Sequence, residues 1–167
     1  MLRRLLLLTT GATFAVQAWA EDRYLPLFRI ERSTNANVIH YEAKIAANGH
    51  LDSRQPVIAY WLMAAEDGHR QPLNVLERTR AYGFAIQPDN ASDSYTITLV
   101  SYHKRPIHVY FKADMVYAET MIGGRRAFLQ KIFITTRKSR ILNEPVSAEM
   151  YGFDVVTGEP AYEKIAQ

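Results

Sequence analysis

A period-two alternation of apolar and polar residues is the feature that most constrains how this chain can fold. It is clearest over residues 39–45, where alternate positions are apolar: Ile39, Tyr41, Ala43 and Ile45. An extended chain with this spacing buries one face and exposes the other, as β-strands do. Asn48-Gly49 follows as a turn signal, because both residues tolerate positive φ. The pattern predicts antiparallel β-structure.

Similar runs predict strands along most of the chain, at about 25–32, 57–63, 84–87, 94–103, 106–112, 115–121, 126–136 and 145–156. Turn residues such as Gly123-Gly124 separate them with short connections. We therefore expect a mainly β fold, an antiparallel barrel or sandwich of about 8–9 strands. Its architecture resembles calycin and lipocalin proteins, an analogy of fold that carries no ligand with it. The run 57–63 is apolar on both faces, so it is expected to be central or covered.

One short helix is predicted at residues 74–82. Asn74 can cap its first turn, and Glu77, three residues later, completes a capping box. Gly83 suits the left-handed position that commonly follows the last turn of a helix. We expect this helix to cover the strand 57–63 or to close one end of a barrel.

The first 20 residues have the pattern of a secretory signal peptide. A basic start, Arg3-Arg4, precedes a leucine-rich apolar stretch, and Ala18-Trp19-Ala20 supplies small residues for cleavage after Ala20. The apolar stretch is shorter than the roughly 20 residues that span a bilayer. We therefore expect a periplasmic or secreted protein with no stable membrane span after cleavage. Residues 21–167, with no visible linker, are predicted to form a single β-rich domain.

Charge and cysteine content exclude several classes of partner and site. Loss of Arg3 and Arg4 with the signal peptide leaves 18 basic against 17 acidic side chains. A nearly neutral chain of this kind does not indicate a nucleic-acid partner. The chain has no cysteine, which excludes disulfides, thiolate metal sites and a cysteine nucleophile.

No catalytic, metal or cofactor signature stands out. The five histidines have no HExxH spacing, and the chain has neither a GxSxG elbow nor a phosphate-binding glycine loop. His40 and Glu42 share one strand face, and His103 and His108 flank a proline turn, but no third ligand accompanies either pair. We therefore predict no catalytic residues, no metal ligands and no cofactor.

Aromatic residues and one interrupted strand are the best candidates for a binding site. Tyr41, Trp61 and Tyr82 lie in apolar surroundings and could line a cavity, although aromatic residues also fill β cores. Gln130 and Lys131 interrupt a strand that is otherwise largely apolar on both faces. We expect one of the two to point to the more buried side.

A polar group on a buried face needs a partner. Lys131 could extend to an edge, Gln130 could bond to the backbone, or either could anchor a ligand in an apolar pocket. Arg78 is a further candidate for a charge beside such a pocket.

Several short segments together resemble a known family. They are Phe28–Ser33, Asn35–Val38, Pro56-Val57, Tyr60-Trp61, Glu77-Arg78, Ala81–Gly83, Leu129–Ile132 and Thr157-Gly158. Their order and spacing resemble a bacterial family catalogued as domain of unknown function 4833, over about residues 25–165. The resemblance implies an exported protein of one domain, and it implies no activity.

The sequence thus favours non-catalytic binding of a small, largely apolar molecule in a β-barrel or an aromatic cleft. The predicted ligand-binding residues are Tyr41, Trp61, Arg78, Tyr82, Gln130 and Lys131. One alternative is a module that binds another protein of the cell envelope. Another is an envelope enzyme with a dispersed polar site, which would require histidines or a carboxylate pair to converge in one cleft.

Overall fold

The computed structural model describes residues 21–137 and 144–166, so the predicted signal peptide, residues 1–20, lies outside the described residues. The described chain forms eleven strands: β1 Arg23–Arg32, β2 Asn35–Ile45, β3 Val57–Met63, β4 His69–Pro72, β5 Phe84–Pro88, β6 Ser94–Leu99, β7 Ile107–Lys112, β8 Met115–Ile122, β9 Arg125–Arg137, β10 Glu144–Asp154 and β11 Pro160–Ala166. A 3-10 turn, Ala64–Glu66, and one α-helix, α1 Val75–Arg80, complete these elements. None of the described helices has the length and apolarity needed to cross a membrane.

The strands form one curled sheet shaped like a half-barrel. Nine of them follow the order β4-β3-β2-β1-β9-β8-β7-β6-β5, while β10 pairs with β9 and β11 pairs with β10. Strand β9 is the junction, because its first part pairs with β8, its second part with β1, and most of its length with β10. The β1–β9 pair is parallel and every other described pair is antiparallel. The prediction of a mainly β fold with one short helix is confirmed.

The core lies on the concave inner face of the sheet. The four apolar positions predicted on β2, Ile39, Tyr41, Ala43 and Ile45, are all fully buried there. Strand β3 is next to the edge strand β4 and is largely covered, with Val57, Tyr60 and Trp61 buried. Burial of large side chains such as these contributes about 1.5–3 kcal/mol each to folding.

The helix and the turns are close to their predicted positions. Asn74 and Glu77 form the expected capping box: the Asn74 Oδ1 accepts from the Glu77 N–H at 2.9 Å, and the Glu77 Oε2 accepts from the Asn74 N–H at 2.8 Å. Gly123 and Gly124 connect β8 to β9 with φ of 59° and 78°, as a tight hairpin requires.

Gly83 was predicted to be glycine because of a left-handed backbone conformation, and this reason was wrong. Gly83 does not adopt a positive φ; instead, a Cβ at this position would lie 1.8 Å from the Arg78 carbonyl oxygen. The chain needs glycine here because the backbone after α1 passes against the last turn of the helix.

The expectation that Gln130 or Lys131 points to the buried side was also wrong. Between β9 and β10 the register shifts, since Leu129 pairs with Gly152 and Lys131 with Tyr151, which leaves Gln130 as the extra residue of a β-bulge. The bulge keeps Leu129 and Ile132 buried while Gln130 is exposed and Lys131 is half-buried. The bulge therefore lets β9 keep a buried apolar face although it contains two adjacent polar residues.

Candidate functional site

The curled sheet forms a large cavity on its inner face, partly open to solvent, with a volume of about 740 Å³. Six strands supply apolar side chains to its wall, among them Ile30, Leu99, Ile107, Ile132, Ile134, Met150 and Ile165. The strand register places them side by side, because Ile132 pairs with Ile30 on β1 and with Met150 on β10. These side chains therefore form a continuous apolar strip on the wall, which suits an apolar ligand.

Helix α1 and the residues after it form part of the cavity wall. Leu76, Glu77 and Arg80 of the helix line it, followed by Ala81 and Tyr82. The carboxylate of Glu77 is engaged by the Asn74 backbone N–H, and the Glu77 carbonyl accepts the N–H groups of Ala81, Tyr82 and Gly83. The capping box and the tight turn after the helix thus set the position of Tyr82.

Two buried aromatic residues hold Tyr82 in position. The Tyr41 hydroxyl donates to the Tyr82 carbonyl oxygen at 2.6 Å, and Trp61 meets the Tyr82 ring edge-on with centroids 5.3 Å apart. Burial raises the pKa of Tyr41 far above its usual range, so its hydroxyl remains a donor. Neither Tyr41 nor Trp61 lines the cavity, but both support the residue that does.

Arg32 contributes a cation to the cavity wall. It is half-buried at the end of β1, level with Ile134. Its Nη1 donates to the Tyr82 hydroxyl and its Nη2 to the Asn35 Oδ1, both at 3.1 Å, and its guanidinium lies 4.3 Å from the Trp61 ring centroid. Its Nε is buried and has no acceptor among the described residues. No carboxylate in the described part of the chain pairs with it.

A second cation on the wall, Arg105, is compensated within the protein. Its guanidinium forms a two-pronged ion pair with Glu163, in which the Nη2–Oε1 distance is 2.9 Å, and its Nη1 also donates to the Met121 carbonyl at 2.7 Å. The Gly123 N–H adds a third donor to Glu163 at 2.8 Å. The hydrogen bond from Arg105 holds the pKa of Glu163 below its ordinary value. This pair joins the loop before β7 to β8 and β11.

Of the six side chains predicted to bind a ligand, Tyr82 alone is on the wall of this cavity. Arg78 is exposed on α1 and is not part of the wall. Gln130 lines a separate, smaller hollow of about 330 Å³. The Lys131 Nζ lies 3.4 Å from Glu31 Oε2 and 4.7 Å from the Tyr151 ring centroid, a surface ion pair with an aromatic contact.

The histidines do not converge in the large cavity, and none lines it. His40 stacks against Tyr60 at 5.9 Å, and burial lowers its pKa. His50 contacts Asp93, and His108 contacts Thr96, at distances of 2.7 and 3.0 Å. Within residues 21–137 and 144–166, no group of three or more histidine or acidic side chains is arranged to hold a metal ion.

The predicted ligand-binding residues did not include Arg32 or Arg105, although the sequence around Arg32 had a readable signal. Phe28 and Ile30 are core residues of β1, and the period of two continues directly to Arg32. An arginine in the next inward position of a buried face indicates a site that requires a charge. Arg105 lies in a loop before β7, where no periodicity could place it.

The comparisons with known proteins point to a family. No match was found to a curated protein, and none to a solved structure. The model of a family described as a domain of unknown function (DUF4833) matches residues 28–164, which include the sheet from within β1 to within β11 and every wall residue named above except Ile165. The chain therefore belongs to the DUF4833 family.

Proposed function

We propose that this protein binds a small, largely apolar molecule in the cavity of its half-barrel, without catalysis. The observation that carries the proposal is the cavity itself: about 740 Å³ of space lined by apolar side chains from six strands. Protein interiors are close-packed, and a hollow of this size is well above the few water-sized voids of an ordinary core. Its volume is within the range of roughly 300–1,000 Å³ typical of small-molecule sites.

Two polar groups held at fixed positions on the wall also support binding rather than a chemical step. Tyr82 and Arg32 are held in fixed positions by Tyr41 and Trp61. A mostly apolar pocket with a small number of oriented polar groups recognises a ligand and sets its direction. The proposal includes export, which rests on the signal-peptide pattern of residues 1–20.

Filling the cavity tests the proposal. Ala148 of β10 faces the cavity between Ile134 and Ile165, so an Ala148→Phe side chain would occupy the space beside them. We expect the wild-type protein to bind a neutral naphthylamine dye with a rise in fluorescence and Ala148→Phe to bind it at least about tenfold more weakly. Ala85→Phe, on the exposed edge strand β5, is the matched control and should bind as the wild type does. Absence of dye binding by the folded wild-type protein would refute the proposal.

A series of linear alcohols measures how strongly the binding affinity depends on the length of the alkyl chain. Each buried CH₂ contributes about 0.8 kcal/mol, so each added carbon should strengthen binding about fourfold until the cavity is filled. Competition with the dye measures this slope. A slope near zero would mean that the alkyl chain of the alcohol does not enter the cavity.

A second candidate function, association with another envelope protein, is favoured by two exposed apolar residues. Val75 and Leu76 are on α1 and are 68% and 64% exposed. They are neighbours on one short helix, which makes a small apolar patch. Val75→Gln would weaken such an association and leave dye binding unchanged, because Val75 does not line the cavity.

A further inference from the structure

We propose that the ligand carries a carboxylate and that Arg32 is the residue that pairs with it. This inference rests on the proposed function, because it assigns the head group of a molecule whose apolar part would occupy the same cavity. The ligand class is then a small aliphatic acid. Its head would be at the end of β1 and its tail along Ile30, Ile132 and Ile134.

The first support is the electrostatic state of Arg32. A half-buried cation is costly unless it is paired and hydrogen-bonded. Its two protein acceptors, the Tyr82 hydroxyl and the Asn35 amide oxygen, are neutral, and the Trp61 face offsets part of the cost. Its Nε has no acceptor among the described residues. The guanidinium is therefore fixed in place with its charge uncompensated.

The nearby carboxylates are engaged elsewhere. Glu31 contacts Arg29 at 2.7 Å and Lys131 at 3.4 Å. Glu77, which lines the cavity, caps α1 by accepting from the Asn74 N–H.

The contrast with Arg105 is the second support. Both arginines line the same cavity, and Arg105 has its own carboxylate in Glu163 with two nearly parallel contacts. That arrangement is the strong, directional form of an arginine–carboxylate pair. Arg32 has no equivalent partner in the described residues. Arg80 of α1 also lines the cavity but is exposed to solvent, so Arg32 is the half-buried arginine whose charge a ligand would neutralise.

The test compares three ligands with the same ten-carbon chain, decanoate, decanol and decylamine, by dye displacement at pH 7. We expect the wild-type protein to bind decanoate roughly tenfold to a hundredfold more tightly than decanol, as a hydrogen-bonded ion pair requires. Decylamine should bind more weakly than decanol. Arg32→Gln should bring decanoate down to the affinity of decanol and leave decanol within about threefold of its wild-type value. A loss of packing would weaken both ligands together.

Arg78→Gln is the matched control, because it removes the same charge from an exposed position outside the cavity. It should leave the preference for decanoate intact. Arg32→Lys retains the charge without the planar fork and should reduce the preference without abolishing it. A measurement that needs no variant is the titration of carboxyl-labelled decanoate by NMR. The bound carboxyl should have a lower pKa than the free acid.

The outcomes separate the two proposals. Equal affinities of the wild-type protein for decanoate and decanol would overturn the role of Arg32 and leave apolar binding standing. A preference for decanoate that survives in Arg32→Gln would assign the head group to another residue and overturn this inference. No binding of the dye or of any of the three ligands would overturn the proposed function itself.

Discussion

Replacing Gly83 tests whether the turn after α1 sets the geometry of the cavity wall. A Cβ added to Gly83 would lie 1.8 Å from the Arg78 carbonyl oxygen and 2.6 Å from its carbon, whereas real contacts essentially never fall under 3.0 Å. In Gly83→Ala the turn and the helix must therefore separate by more than about 1 Å. The obstacle is backbone, so a change of side-chain rotamer cannot relieve it.

The cost follows from the hydrogen bonds that this separation would break. Tyr82 and Gly83 both donate to the Glu77 carbonyl, at 2.7 and 3.3 Å, and Val100 donates to the Gly83 carbonyl at 2.9 Å. At about 0.5–1.5 kcal/mol for each bond, their loss lowers the free energy of unfolding by about 2–4 kcal/mol. Displacement of Tyr82 should also weaken dye binding.

Urea denaturation measures this cost, with two comparison variants. Gly158→Ala, where φ is 71° and no atom lies within 4 Å of the added Cβ, should cost only about 1 kcal/mol. Gly83→Asn separates the two possible reasons for glycine, because asparagine tolerates a left-handed conformation but not a close approach. A Gly83→Ala or Gly83→Asn protein within about 0.5 kcal/mol of the wild type would show that the close approach to Arg78 does not require glycine at this position.

Three further predictions concern side chains around the cavity. Tyr41→Phe should lower the free energy of unfolding by about 1–2 kcal/mol in urea, because the Tyr82 carbonyl loses its donor; an unchanged midpoint would contradict this. The Glu163 pKa is lower in the folded than in the unfolded chain, so the Arg105 pair stabilises the fold above about pH 4.5, and this contribution is lost as the pH falls through the folded-state pKa. Glu163→Gln should therefore flatten the acid side of a stability–pH curve, and an unaltered slope would argue against the pair. Lys131→Met should leave dye binding unchanged and alter stability by less than about 1 kcal/mol, and a clear loss of binding would mean that Lys131 reaches the ligand.

The strands that could be predicted are those whose apolar residues alternate with polar ones or form an unbroken run. Strand β2 has that pattern, and its apolar face is the centre of the core. Strand β4 was not predicted because it is a short, fully exposed edge strand of sequence His-Arg-Gln-Pro, with no apolar periodicity to read. Strand β11 was missed because its inward positions include Glu163, whose burial depends on a partner distant in sequence, Arg105.

The candidate site was harder to predict for a related reason. The sequence indicates which side chains are apolar, but the cavity is lined by six strands that come together only when the sheet curls. The expectation that Gln130 or Lys131 points to the buried side failed because of a single-residue bulge at Gln130, which no local sequence signal predicts. Arg32 could have been found by extending the alternation of β1 by one step.

Methyl NMR of the protein during titration with decanol tests most directly whether the cavity is the binding site. We expect the methyl signals of Ile132, Ile134 and Ile165, which line the cavity, to shift with the ligand and to show contacts to its alkyl chain. The signals of Ile58 and Ile86, which lie outside the cavity, should remain in place. Shifts confined to Ile58 or Ile86, or no shifts at concentrations that saturate the dye competition, would contradict the account.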